Sequence, residues 1–84
     1  MARVEIYSSD RCPYCAKAKA LLDGKRVSYV EINVTDDAEA RAALVEKAGG
    51  LRTVPQIFID DNHIGGCDDL YDLDRNGELD RLLS

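Results

Sequence analysis

Val4-Glu5-Ile6-Tyr7-Ser8-Ser9-Asp10-Arg11-Cys12-Pro13-Tyr14-Cys15 decides the fold, because it passes from alternating to helical periodicity across one polar loop. Residues 2–7 read as a strand with Val4 and Ile6 on one face. Ser8-Ser9-Asp10-Arg11 is the loop, and a helix over 13–23 follows. Pro13 fits its first turn, where a missing N–H costs nothing; Ala18, Leu21 and Leu22 form its apolar side and Gly24 stops it. The helix therefore begins at Cys12.

Downstream, residues 27–34 carry Val30, Ile32 and Val34 in alternation and read as a second strand. Asp36 and Glu39 have capping-box spacing for a second helix that ends at Gly49-Gly50. Gln56-Ile57-Phe58-Ile59 is a short buried-type strand, Asp60-Asp61-Asn62 a turn of hairpin size, and His63-Ile64 opens the returning strand. A helix with Leu70 and Leu73 then runs to Asn76-Gly77, and Leu79, Leu82 and Leu83 mark a last short one. The order β-α-β-α-β-β-α predicts an α/β domain over 1–84: a four-stranded mixed sheet, parallel across the first crossover and antiparallel in the hairpin, flanked by helices. Cys12 falls in a loop at the carboxyl end of the first strand.

A chain of 84 residues has room for one core and a thin one, so bracing matters, yet its three cysteines cannot all pair within one molecule. At least one thiol is free or chemically employed. The first residues lack the unbroken apolar run of an export signal, and no stretch approaches the ~20 apolar residues of a membrane span. The expected compartment is therefore the reducing cytoplasm, where a Cys-x-x-Cys pair does redox or metal chemistry more often than bracing. A net charge of −5, from 16 acids against 11 bases, argues against sequence-independent nucleic-acid binding, which needs a surplus of Lys and Arg. The acids crowd Asp60 to Asp80 and read as a solvated face. No oligomer interface is apparent, and a monomer is expected.

Cys12-Pro13-Tyr14-Cys15 carries the chemistry. A thiol at a helix start faces unpaired N–H groups and the positive end of the helix dipole, both of which favour its thiolate. Cys12 has that position and Cys15, one turn in, does not. Cys12 is thus expected to attack and Cys15, at i+3 on the same face, to close the disulfide. Lowering a thiol pKa from about 8.5 to ~6 raises the thiolate fraction at neutral pH roughly 30-fold, while a Brønsted slope of ~0.45 costs about 13-fold in nucleophilicity. The larger benefit is that a low-pKa sulfur leaves more readily in the second step. The competing reading, half of a zinc site completed by His63 and Cys67, is opposed by the helix start: structural zinc cysteines sit on knuckle-like turns. Taken alone, His63 reads as a surface strand residue.

Thr53-Val54-Pro55 opens the third strand with a residue that lacks a ladder donor; local sequence favours trans at this X-Pro bond, and cis would turn backbone groups outward. Gly65-Gly66-Cys67-Asp68-Asp69 admits two readings. Its glycines, helix-start N–H groups and Asp68 carboxylate suit the zwitterionic end of an α-amino acid; equally, the segment is a plain N-cap cluster over a buried Cys67.

Taken in order, Cys-Pro-Tyr-Cys, Thr-Val-Pro-Gln-Ile-Phe-Ile and Gly-Gly-Cys-Asp-Asp-Leu make the whole chain resemble a dithiol glutaredoxin of the short bacterial type. The resemblance implies a thioredoxin-like fold and glutathione as the reducing co-substrate, with no metal. It implies that Cys12 forms the mixed disulfide with glutathione and that Tyr14 flanks the groove. Thr53 and Val54 would border the tripeptide, Val54 pairing its backbone with the cysteinyl unit, with Pro55 in cis. Gly66, Cys67 and Asp68 would hold the γ-glutamyl end, on the backbone of Cys67 and Asp68 and beside the Asp68 carboxylate. Many relatives have a lysine three residues before the first cysteine, for the glycine carboxylate; this chain has Ser9, and Arg11 and Arg52 are the candidate substitutes. The implied reaction is glutathione-dependent exchange, on protein disulfides through both cysteines and on glutathione mixed disulfides through Cys12 alone. Alternatives within the resemblance are a redoxin reduced by thioredoxin reductase and an iron–sulfur carrier bridging two subunits through Cys12 and glutathione.

Overall fold

The computed structural model describes residues 2–84, so Met1 of the expected domain lies outside the described residues. The elements are β1 (Val4–Ser8), α1 (Pro13–Gly24), β2 (Val30–Asn33), α2 (Ala38–Lys47), β3 (Gln56–Ile59), β4 (Asn62–Gly65), α3 (Cys67–Arg75) and α4 (Glu78–Leu83). The sheet order is β2-β1-β3-β4, with β1 parallel to β2 and antiparallel to β3, and β3 antiparallel to β4. This is the thioredoxin-like α/β layout.

Strand alternation divides the core between the two sheet faces. Val4 and Ile6 pair with Ile59 and Ile57, and this face packs with Ala18 and Leu22 of α1, Leu70 of α3 and Leu79 of α4. Full burial of a side chain such as Leu22 contributes about 2 kcal/mol. On the opposite face Tyr7 and Phe58 meet edge to face, with ring centroids 5.7 Å apart, and pack with Leu44 and Ala48 of α2.

Several boundaries differ from the sequence reading for identifiable reasons. β2 is shorter than residues 27–34 because it pairs with β1 only from Val30 to Asn33; as an edge strand it leaves Val30 57% exposed, while Val34, just past it, is buried. Leu21 is only partly buried. The N-cap of α2 is Asp37 rather than Asp36; its carboxylate accepts from the Ala40 N–H at 2.9 Å, leaving Glu39 in the first turn without the expected box partner. The hairpin turn is tighter than expected. Asp60 and Asp61 both take positive φ (52° and 67°), the two-residue type I′ geometry, so Asn62 already belongs to β4.

The topology brings three segments to one sheet edge. The chain leaves β1 at its carboxyl end to reach Cys12. β3 runs the other way, so residues 53–55 enter at that same edge, where Tyr7 pairs with Gln56. β4 returns antiparallel to β3 and delivers Gly66-Cys67-Asp68 there as well.

Candidate functional site

Cys12 is the N-cap of α1 in extended conformation, and its sulfur takes the place usually filled by a Ser or Asp oxygen: the Cys15 N–H donates to it at 3.1 Å. Pro13 at the helix start has no N–H to satisfy. Cys12 and Cys15 form a disulfide, with Cα atoms 5.2 Å apart. Cys15 is only 1% exposed, whereas Cys12 is half-buried at the surface. Cys12 is therefore the more accessible of the two. The Cys12 sulfur also lies 3.8 Å from the Val54 carbonyl oxygen, beside the loop before β3.

Beside that contact lies a cleft of about 270 Å³ between two walls. One wall is Tyr14, Leu51 and residues 53–56, with the Val54–Pro55 bond cis; the other is Gly66, Cys67, Asp68 and Asp69. Gly66 and Pro55 face each other so closely that a Cβ on Gly66 would stand 3.4 Å from the Pro55 carbonyl. Gly66 is the N-cap of α3 and has no side chain to offer, but the Asp69 carboxylate returns to accept from its N–H at 3.0 Å. The N–H groups of Cys67 and Asp68 in the first turn have no intrahelical acceptor. Both residues line the cleft, and Asp68 is exposed there. The cleft thus runs from Val54 to the start of α3 and the Asp68 carboxylate.

Of the residues picked from the sequence, Tyr14, Thr53, Val54, Pro55, Gly66, Cys67 and Asp68 share this cleft, with Cys12 at its Val54 side. Arg11 does not. It takes a left-handed φ of 56° and lies in a second recess on the other flank of Cys12, which Cys12 and Cys15 also line with Lys19 and Glu31. Arg52 is exposed and closes a separate recess against Arg41 and Val45 of α2. The Cys67 thiol is buried, and burial pushes its pKa up, with Asp68 adding to the rise and Lys17 opposing it. Among the described residues no group of three or more His, Cys, Asp or Glu side chains is placed to hold a metal ion, so Cys12, Cys15, His63 and Cys67 do not converge. No helix among them is long and apolar enough to cross a membrane.

Sequence reasoning missed Gln56 and Asp69 as parts of the cleft and the charged cluster on the far flank of Cys12. In that cluster the buried Ser8 hydroxyl donates to Glu31 at 2.6 Å and Lys19 reaches the same oxygen at 2.8 Å. These contacts hold the Glu31 carboxyl below its usual range and Lys19 above its own. The signal for Gln56 was present: it is the one polar residue in an otherwise apolar strand.

Residues 4–64 match the family model of glutaredoxin. The chain belongs to the glutaredoxin family. It is 55% identical over 83 residues to glutaredoxin 3 of Escherichia coli K12, a match covering 99% of each chain. The solution structure of glutaredoxin from Brucella melitensis superposes with a TM-score of 0.86 at 51% identity, over 99% of this chain and 89% of that one. The crystal structure of a buckwheat glutaredoxin–glutathione complex gives a TM-score of 0.87 at 34% identity, over 98% and 76% respectively. As a glutaredoxin, the chain is a glutathione-dependent thiol–disulfide oxidoreductase whose redox pair is the Cys12–Cys15 disulfide.

Proposed function

We infer that Cys12 is the nucleophile, Cys15 the resolving thiol, and the cleft from Thr53 to Asp68 the glutathione groove. On a glutathione mixed disulfide, the Cys12 thiolate attacks the glutathione sulfur and the substrate leaves as a thiolate. A second glutathione thiolate then attacks the bound glutathione sulfur, releasing oxidised glutathione and restoring Cys12. On a protein disulfide, Cys12 attacks one sulfur, and Cys15 then attacks Cys12 and expels the substrate's remaining thiolate. Two glutathiones reduce the resulting Cys12–Cys15 disulfide and leave as oxidised glutathione.

The observation that carries this reading is the position of the Cys12 sulfur, 3.1 Å from a helix-start N–H and 3.8 Å from the Val54 carbonyl. The sulfur thus sits both at a helix-start donor and beside the residue that borders the cleft. In that cleft Val54 offers backbone to the cysteinyl unit, and the α-carboxylate of the γ-glutamyl end accepts from the Cys67 and Asp68 N–H groups. Its ammonium faces the Asp68 carboxylate. Among the described residues the cleft lining holds no cation for the glycine carboxylate: Arg52 is adjacent to Thr53 but closes a separate recess, and Arg11 lies on the other flank of Cys12. Substrates are disulfide-bonded or glutathionylated proteins in the cytoplasm.

A turnover assay with glutathione and glutathione reductase, run against thioredoxin reductase alone, tests the donor. Turnover with the first is expected. Turnover with thioredoxin reductase and none with glutathione would contradict the reading.

A further inference from the structure

His63 is exposed on the edge strand β4, yet its side chain is tied to the groove. It pairs with Phe58 across the β3–β4 ladder, where its ring stacks at 5.1 Å from the Phe58 ring. Gln56 shares the Phe58 face by strand alternation. The His63 Nε2 lies 2.6 Å from the Gln56 Oε1, and the Gln56 Nε2 donates to the Thr53 hydroxyl at 3.1 Å. Gln56 is 2% exposed, so its carboxamide must find both an N–H donor and an acceptor inside the protein. His63 and Thr53 supply them. Residues 51–55 belong to no helix or strand, so side-chain contacts of this kind hold the segment that forms one wall of the groove.

We propose that His63 is a positioning residue for glutathione: its Nε2–H donates to the Gln56 carboxamide oxygen, which turns the Gln56 NH2 group onto the Thr53 hydroxyl and fixes the Thr53-Val54 peptide beside Cys12. His63 itself touches no substrate. The proposal rests on the reading of the Thr53–Asp68 cleft as the glutathione groove. It makes the orientation of a binding wall depend on a donor at the far side of the strand, with a fully buried amide as the link.

Two substitutions separate the donor from the ring. His63→Phe keeps an aromatic ring against Phe58 and removes the N–H; His63→Gln removes the ring and restores an N–H at about the Nε2 position. Each is assayed for KM and kcat on a small glutathione mixed disulfide, for alkylation of Cys12 by iodoacetamide, and for thermal midpoint. His63→Phe is expected to raise KM about fivefold with alkylation unchanged, and His63→Gln to stay within about twofold of the parent. If His63→Phe fails to fold, His63→Leu carries the same expectation. A parental KM in His63→Phe, or a larger KM rise in folded His63→Gln than in His63→Phe, overturns the relay. Asp68→Ala assayed alongside distinguishes the failures. A KM rise there with none in His63→Phe sinks the relay and leaves the groove standing; an unchanged KM in both sinks the groove reading and the relay with it.

Discussion

The backbone N–H of Cys15 donates to the Cys12 sulfur at 3.1 Å, so the second cysteine of the pair caps its own helix onto the first. The interaction uses Cys15 backbone rather than its thiol and survives replacement of that side chain. A thiolate accepts the same N–H more strongly than a neutral thiol. Cys12 in reduced protein lacking Cys15 is therefore expected to titrate well below the ~8.5 reference, and Cys15 in protein lacking Cys12 is not. Thiolate absorbance against pH in the two single Cys→Ser variants measures both. A Cys12 value near the reference would refute the helix-start argument.

Asp68 is exposed at the cleft end where two helix-start N–H groups are free. Asp68→Ala is expected to raise KM for glutathionylated substrates several-fold, about 1 kcal/mol, while leaving the rate of Cys12 alkylation nearly unchanged. Equal losses in both would make Asp68 a support of the fold or of the thiolate rather than a ligand contact.

Gly65 has a φ of 121°, and a Cβ there would overlap the Asp69 carboxylate that caps α3. Gly65→Ala must strain the backbone and displace the cap together, at a cost of about 2 kcal/mol, or roughly 10 °C in Tm for a domain of this size. It is expected to raise the glutathione KM as well, since the displaced helix start is part of the groove. A thermal melt with parental Tm would show that the turn relaxes without loss.

Glu31 titrates below its usual value of 4.5 in the folded protein because Lys19 and Ser8 hydrogen-bond its charged form. A depressed carboxyl pKa gives stability that is complete above the unfolded value and lost as pH falls through the folded one. The Lys19 and Glu31 side chains are 30% and 36% exposed, so solvent screening limits the effect to about 0.5 kcal/mol. Glu31→Gln is expected to lower Tm slightly at pH 7, with the gap to the parent closing in acid, once the pH has fallen through the folded-state pKa. A gap of equal size at both pH values would remove the charge from the explanation.

The order and type of the elements were legible because each has a local cause: alternation in β1 and β2, Pro13 at the start of α1, and the Asn76-Gly77 stop after α3. The Cys12–Cys15 pair was legible for the same reason, its asymmetry following from which residue begins the helix. What was illegible depends on contacts distant in sequence. Nothing near Val30 reveals that β2 lies at the sheet edge, and nothing near Arg11 reveals that its left-handed φ sends it to the far flank of Cys12. Gln56 went unremarked despite its polarity, and its partners, Thr53 and His63, became visible only once the hairpin register was known.

The division of labour between the two cysteines is tested most directly by assaying reduced Cys15→Ser protein on a protein disulfide and on a small glutathione mixed disulfide. Cys12→Ser serves as the inactive control, and Cys67→Ser, whose buried thiol has a raised pKa, is expected to keep both activities. Cys15→Ser should lose most protein-disulfide reduction yet retain deglutathionylation, because a second glutathione expels Cys12 without help. Loss of deglutathionylation in folded Cys15→Ser protein would contradict the account.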